Sequence, residues 1–126
     1  MVSDLNRIVE LVKKFNFERD WDKFHNPKDV LIALVSEVGE LAECYRWLKP
    51  EELQKIYSDP EKKKKIEDEI ADVLINLIIL SYKSDIDLLK AVENKLEKNK
   101  LKYPIEKVKG IHTNPIEGLK RVTSKQ

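Results

Sequence analysis

The sequence predicts an all-α protein, a bundle of four to five helices, and three observations carry that prediction. Gly occurs only three times and aromatic residues make up 7% of the chain, which favours helices over many-turned β structure. Apolar residues recur at helical spacing along four segments. Most of these segments begin at a capping residue or end at a proline. At 126 residues the chain can bury one core but is too short for two.

The composition of the chain argues against several classes of protein function. The 24 basic residues nearly balance the 23 acidic ones, so no global field points to nucleic acid or a membrane as a partner. A single cysteine, Cys44, excludes an internal disulfide and a cysteine-based zinc site. The N-terminus lacks a basic-then-apolar signal segment, and the longest apolar run, 73–80, is too short to span a bilayer. We therefore expect a soluble, cytoplasmic protein.

The first helix is expected to start at Ser3 or Asp4, which can cap it, and to end near residues 15–17. Its apolar face consists of Leu5, Ile8, Val9, Val12 and Phe15. The following stretch, 18–28, mixes aromatic and charged residues with a proline and is typical of an irregular connection. Its side chains Trp21, Phe24 and His25 either line a pocket or cover the core. The residues alone favour the second interpretation.

The second helix should run from about Lys28 to Leu48, because Pro50 stops it. One apolar stripe consists of Leu34, Val38, Leu41, Tyr45 and Leu48. A neighbouring stripe contains Val30, Ala33, Cys44 and Trp47, and two acids interrupt it. These acids are Glu37 and Glu40, at positions where a solvated carboxylate is not expected.

The third helix is predicted to follow a short helical turn at 51–57 and to start at Asp59-Pro60, a cap followed by proline at the first position. It should run to about Lys83. From residue 70 to 80 it is apolar nearly all round, which indicates a buried central helix. Its polar stripe there consists of Glu69, Asp72 and Asn76. One small bundle cannot easily cover so much apolar surface, so we expect a homo-oligomer.

A fourth helix should begin at a cap supplied by Asp85 or Asp87 and end at Pro104. Its apolar face consists of Leu88, Leu89, Val92 and Leu96. Beyond it, residues 105–126 carry glycine, proline and several lysines, which predicts an extended or partly ordered tail. We therefore place the domain at 1–104 and the tail at 105–126.

Two pairs of acids carry the chemical signal. Glu37 and Glu40 are three residues apart, as are Glu69 and Asp72, so each pair shares one helix face. If the two helices pack together, four carboxylates meet, and they cannot all ionise without a counter-charge. A divalent cation would supply it, and the lack of Cys or His at ligand spacing favours Mg²⁺ or Mn²⁺ over zinc. The alternative is that each acid pairs with a lysine at a helix interface.

The spacing of these acids resembles that of the MazG-like all-α nucleoside triphosphate pyrophosphohydrolases. The resemblance covers roughly residues 4–104 and is closest to the dCTP pyrophosphatase branch. It is carried by Glu18-Arg19-Asp20-Trp21, Phe24-His25, Leu34-Val35, the run from Glu37 to Glu43, Trp47, Asp72-Val73-Leu74-Ile75 and Tyr103-Pro104. Ser36 stands where the wider family often has a glutamate, a departure that the dCTP branch shares.

The resemblance implies a fold of the all-α NTP pyrophosphatase type and a set of site residues. Four acids would hold Mg²⁺, namely Glu37, Glu40, Glu69 and Asp72. Seven further residues would bind the substrate, namely Trp21 and Trp47 flanking the base, His25 in the pocket, Asn76, and Lys95, Asn99 and Tyr103 near phosphates or sugar. Asn76 and Val12 stand where animal relatives have Tyr and His. Because stacking accepts any base, we expect a polar side chain, His25 or Asn76, to select it. Family members are dimers or tetramers whose subunits complete each other's sites.

The expected function is therefore Mg²⁺-dependent hydrolysis of a (d)NTP, with dCTP or a modified dCTP as the first choice, to the monophosphate and pyrophosphate. Water would attack the α-phosphorus, and Glu37 or Glu40 would accept its proton. Two alternatives stay open. One is a dUTP-type or broad-specificity NTP pyrophosphatase, and the other is a helical interaction module whose acids make only salt bridges.

Overall fold

The computed structural model of the chain describes residues 3–111, and every regular element among them is helical. The α-helices are α1 (Asp4–Glu18), α2 (Pro27–Glu43), α3 (Leu53–Ser58), α4 (Pro60–Lys83), α5 (Leu88–Lys102) and α6 (Ile105–Val108). Short 3₁₀ turns cover Asp22–Phe24 and Pro50–Glu52. The prediction of an all-α protein is confirmed. Within this part of the chain, no helix is both long and apolar enough to cross a membrane.

Side-chain caps set the starts of the three long helices that build the site. Ser3 Oγ accepts a hydrogen bond from the Asn6 amide at 3.1 Å and starts α1. Asn26 Oδ1 accepts one from the Asp29 amide at 2.9 Å and starts α2. Asp59 caps α4 through two backbone amides, with Pro60 next, as predicted from the sequence. Each cap satisfies backbone donors that lack a partner in the first helical turn.

The chain divides into two compact units, 1–89 and 90–126. In the first unit, α4 contacts α1, α2 and α3, and it is the element against which the other helices pack. The core of this unit joins Val12 of α1, Val30 of α2, and Ile78 and Ile79 of α4. Ile78 is the most deeply placed of these side chains, with 1% of its surface exposed.

The second unit contains most of α5 and the single turn of α6. The predicted fourth helix is present and ends at Lys102, two residues before Pro104. Beyond it, α6 forms one further helical turn just after the predicted domain boundary at residue 104. The rest of the predicted tail, 112–126, lies outside the described residues, so the boundary stays a prediction.

The predicted end of the second helix, at Leu48, is wrong. The helix ends at Glu43, and residues 44–47 form turns. The Tyr45 amide donates to the Ala42 carbonyl and the Leu48 amide to that of Tyr45, so bonds of three-residue spacing predominate, although the Arg46 amide still donates to Ala42 at helical spacing. Pro50 offers no amide to continue it. As a result, Trp47 lies in a turn and not on the helix.

The predicted burial of the central helix is only partly right. Ile66, Ile78 and Ile79 are buried, but four other apolar residues of α4 are exposed, namely Ile70, Leu74, Ile75 and Leu77. Ile70 is the most exposed of these four, with 52% of its surface accessible. The reason is geometric, because three neighbouring helices cannot surround a fourth one that is apolar on all sides. Part of α4 therefore stays uncovered within one chain.

We expect Ile78→Ala to lower the free energy of unfolding by about 2–5 kcal/mol, because it empties space at the centre of the core. Urea denaturation followed by circular dichroism measures the change. Ile32→Ala removes the same atoms from an exposed position of α2 and should cost far less. Equal losses for the two variants would mean that the core is not centred on Ile78.

Candidate functional site

The packing of α2 on α4 brings three of the four predicted metal ligands together. Glu37 and Glu40, from α2, and Glu69, from α4, each offer one carboxylate oxygen, and these oxygens lie within 4.8 Å of one another. We call these three residues the acidic cluster. The spacing of three residues places both α2 acids on the face that meets α4, as expected from the helical period.

The alternative interpretation of these acids was that each one pairs with a lysine. Among the described residues, the acidic cluster has no such basic partner. The Oε2 atoms of Glu37 and Glu69 are buried and have no hydrogen-bond partner. No lysine or arginine among residues 3–111 lies within ion-pair distance of the cluster or of Asp72. Buried carboxylates without partners are costly. An all-oxygen donor set with unsatisfied acceptors fits a hard divalent cation.

The electrostatics of the cluster agree with this reading. Burial, then the hydrogen bond and charge of Glu40, raise the pKa of Glu37 from 4.5 to about 7. Burial and the charge of Glu40 also raise the pKa of Glu69. Asp72 adds to both effects through its negative charge. In the absence of a cation, the cluster therefore holds a proton that ordinary glutamates lose.

Asp72 and Asn76 occupy the edge of the cluster. The Asp72 side chain is exposed and is not one of the three acids that share the 4.8 Å group. Its effect on the pKa of Glu37 and Glu69 places its charge nearby. Asn76 donates its side-chain amide to the Asp72 backbone carbonyl at 2.9 Å, so this donor is directed along its own helix. The role of Asp72 as a fourth ligand stays a prediction.

Trp21 and His25 line a cavity of about 530 Å³ between α1 and α4. Phe24, the third side chain considered with them in the sequence analysis, is exposed and does not line this cavity, and substrate binding there stays a prediction. Trp21 packs edge-on against Phe15, with ring centroids 5.8 Å apart. Most of the wall is apolar, contributed by Ile8, Leu11, Val12, Phe15, Ala71, Leu74, Ile75, Ile78 and Ile79. A cavity of this kind with few polar groups is typical of a small-molecule site.

The structure does not bring Trp47 into this cavity. Its ring lies in the turn after α2, with 78% of its surface exposed and the Arg46 guanidinium 4.5 Å from its centre. The predicted pair of tryptophans around a base is therefore not formed by the described residues of one chain. The assignment of Trp47 to the substrate stays a prediction.

The other three predicted substrate residues belong to the second unit. Asn99 and Tyr103 line a surface depression of about 500 Å³, and the Tyr103 amide donates to the Asn99 carbonyl at 2.8 Å. Lys95 lies on α5 but not in the lining of this depression. The pairing of Asn99 and Tyr103 is compatible with one shared ligand, which stays a prediction.

The sequence analysis missed a buried polar network beside the cavity. Asn16, 3% exposed, donates to the Tyr82 phenol at 3.0 Å, and the phenol donates to Asp22 at 3.1 Å. Lys83 completes the network through an ion pair with Asp22 at 3.0 Å. A signal was present in the sequence. Asn16 follows Val12 by four residues, so it interrupts the apolar face of α1 as Glu37 interrupts that of α2.

Comparison with known proteins identifies the family of this chain. A model of the MazG-like family matches residues 32–115, which is more than half of the chain and includes the whole acidic cluster. The chain belongs to the MazG-like family. The resemblance inferred from the acid spacing is thereby confirmed.

Individual MazG-like relatives agree with this assignment. The chain is 39% identical to dCTP pyrophosphatase 1 of Rattus norvegicus over 106 residues, 84% of this chain and 62% of the relative. It is 40% identical to the Homo sapiens protein of the same name over 100 residues, 79% of this chain and 59% of the relative. The chain thus spans about three fifths of these relatives.

A solved structure supports the fold. The crystal structure of a pyrophosphatase from Archaeoglobus fulgidus superimposes on this chain with a TM-score of 0.73 and 33% identity. The match covers 82% of this chain and 95% of the other. The MazG-like helical fold is therefore shared with a solved pyrophosphatase.

The raised pKa of Glu37 predicts a pH dependence of stability. Without divalent cations the folded protein binds this proton up to about pH 7, whereas the unfolded chain releases it near pH 4.5. The contribution of Glu37 to stability is therefore greatest below about pH 4.5 and is lost as the pH rises to 7. Melting temperatures in EDTA across this range should fall, and Glu37→Gln should flatten the fall.

The control is Glu67→Gln, which makes the same change at an exposed position of α4 outside the cluster. It should leave the slope of melting temperature against pH as in the unchanged protein. A slope that Glu67→Gln alters and Glu37→Gln does not would contradict the assignment of the proton to the cluster.

Proposed function

We propose that this chain hydrolyses a nucleoside triphosphate, with dCTP or a modified dCTP as the preferred substrate, to the monophosphate and pyrophosphate. Mg²⁺ is the proposed cofactor, with Mn²⁺ able to replace it. Glu37, Glu40 and Glu69 would hold the cation, with Asp72 as the fourth acid. The cytoplasmic location expected from the sequence stays a prediction.

The acidic cluster is the observation that carries this proposal. Three carboxylates from two helices converge, and two of their oxygens are buried without a partner. A structural module would be expected to pair such acids with basic side chains, and none of the described residues does so. The geometry therefore supports a cation site over a helical interaction module.

The proposed reaction is the attack of water on the α-phosphorus of the substrate. A bond forms between the water oxygen and that phosphorus, the bond to the α,β-bridging oxygen breaks, and pyrophosphate leaves. A bound divalent cation would neutralise the charge that develops on the phosphate oxygens. Either Glu37 or Glu40 would take the water proton.

The preference for dCTP rests on the names of the relatives, and the cavity supports a nucleobase in general. The mammalian relatives are named dCTP pyrophosphatase 1. The cavity beside Trp21 has the apolar walls and the aromatic edge that a nucleobase needs for stacking. Because stacking alone accepts any base, a dUTP-type or broad-specificity enzyme is the remaining alternative within this class.

We expect turnover to require a divalent cation. EDTA should abolish it, and Mg²⁺ or Mn²⁺ should restore it better than Ca²⁺, whose looser coordination positions water less well. Phosphorus NMR with a panel of dNTPs should show pyrophosphate and a monophosphate, with dCTP consumed fastest. Stepwise release of phosphate would indicate a different reaction, and no turnover of any dNTP would favour the interaction module.

We further propose that the active form is a homodimer or homotetramer. On α2, Leu31, Val35 and Val38 are exposed at helical spacing, and on α4, Ile70, Leu74 and Leu77 are exposed at the same spacing. These two helices pack on each other, and each leaves an apolar stripe exposed. Exposed apolar surface of this kind is typical of an interface. The exposure of Trp47 fits a site that a second copy completes.

Multi-angle light scattering at micromolar concentration should give the mass of a dimer or tetramer. Val35→Glu places a charge in the α2 stripe and should shift the mass towards the monomer, with a loss of turnover. Ile86→Glu, at an exposed apolar position outside both stripes, should leave the mass unchanged. A fully active monomer would refute the proposed assembly.

A further inference from the structure

The cavity between α1 and α4 contains two polar side chains, Asn16 and His25, in a wall that is otherwise apolar or aromatic. His25 Nδ1 is buried and has no hydrogen-bond partner. In an apolar cavity, a few convergent polar groups set the orientation and the identity of the ligand.

The network behind Asn16 determines how its amide is turned. Lys83 hydrogen-bonds to Asp22 and lowers the pKa of that carboxyl, which therefore accepts hydrogen bonds only. Tyr82 gives its single hydroxyl proton to Asp22, so the phenol oxygen can only accept from Asn16. The NH₂ end of the Asn16 amide must then face Tyr82.

The carbonyl end of the same amide is left for a ligand. Among residues 3–111, no hydrogen bond reaches Asn16 Oδ1, although the residue is 3% exposed and lines the cavity. A carbonyl oxygen accepts from an N–H donor and repels another carbonyl oxygen. Cytosine carries an exocyclic amine where uracil and thymine carry a carbonyl.

We propose that Asn16 selects bases with an exocyclic amine, cytosine foremost, by accepting a hydrogen bond from that amine through Oδ1. Tyr82 is the positioning residue that holds the amide in this orientation, and Asp22 and Lys83 hold Tyr82. This inference rests on the proposed nucleotide substrate and adds the residue that distinguishes its base.

The same network also secures the aromatic side of the cavity. The Trp21 amide donates to the Asn16 backbone carbonyl at 3.0 Å, and the His25 amide donates to that of Asp22 at 3.1 Å. One set of contacts therefore holds the stacking ring, the polar reader and His25 against α4. A change at Tyr82 should loosen all three without touching the acidic cluster.

The position of the cavity relative to the acids fits one nucleotide. On α4, Ile75 and Ile79 line the cavity, three and seven residues after Asp72. These spacings put Asp72 close to the same helix face, at about 5 to 10 Å along the axis. The cavity wall thus adjoins the edge of the site proposed for the phosphates.

The experiment compares binding of dCMP and dUMP by isothermal titration calorimetry, which needs no turnover. The unchanged protein should bind dCMP about tenfold or more tightly than dUMP. Asn16→Leu, of similar size but without the acceptor, should remove this preference by weakening dCMP about tenfold. Tyr82→Phe should give an intermediate preference, because the amide then loses its fixed orientation.

Two further variants serve as a control and as a substitute for Asn16→Leu. Tyr57→Phe removes a phenol from the exposed Tyr45–Tyr57 pair and should keep the full dCMP preference. Should Asn16→Leu fail to fold by circular dichroism, the double variant with Tyr82→Phe makes both partners apolar and tests the same loss.

Equal binding of dCMP and dUMP by the unchanged protein would overturn the inference, as would a preference that survives in both Asn16 variants. Pyrophosphate formation with such a surviving preference would refute the role of Asn16 and leave the proposed function standing. An Asn16-dependent preference without turnover of any triphosphate would do the reverse.

Discussion

The repulsion among the carboxylates between α2 and α4 is the constraint on which the structure depends. Glu37 and Glu69 gain no basic partner from the described residues, so their burial opposes folding. The apolar contacts of Val30, Ile78 and Ile79 hold the same helices together and offset this cost. The packing around the acidic cluster thus keeps these carboxylates together despite their repulsion, and the proposed cation would reduce that repulsion.

α4 supports both parts of the proposed site, on adjoining positions of the helix. Glu69 belongs to the acidic cluster and Asp72 acts on it through its charge, whereas Ala71, Leu74 and Ile78 line the cavity. At its C-terminal end, Tyr82 and Lys83 anchor Asp22, and with it the irregular segment that carries Trp21 and His25. A single rigid helix therefore sets the distance between the cation site and the base cavity, since it moves neither without the other.

Hydrophobic periodicity and helix caps predicted most of the helices and the convergence of the acids from the sequence. The start of α4 at Asp59-Pro60 and the pairing of Glu37 with Glu40 follow from local rules that depend on neighbouring residues alone. The end of α2 does not follow from such local rules, because the change to shorter-range hydrogen bonds before Pro50 depends on how that turn packs. Polar residues inside apolar stripes were the best guide to the site, and the same rule applied to α1 would have found Asn16.

The partly confirmed prediction for α4 shows which question a sequence pattern does not answer. Apolar residues all round the helix from Ile70 to Leu80 predict that it is buried. They do not indicate whether the same chain or another copy buries it. Ile70, Leu77 and Trp47 are all exposed within one chain, and the proposed assembly would account for all three. A second copy on the α2–α4 surface would bury the apolar stripes and bring a tryptophan to the site. Assembly and substrate binding would then be a single problem for this MazG-like protein, which is why the oligomer and the site have to be tested together.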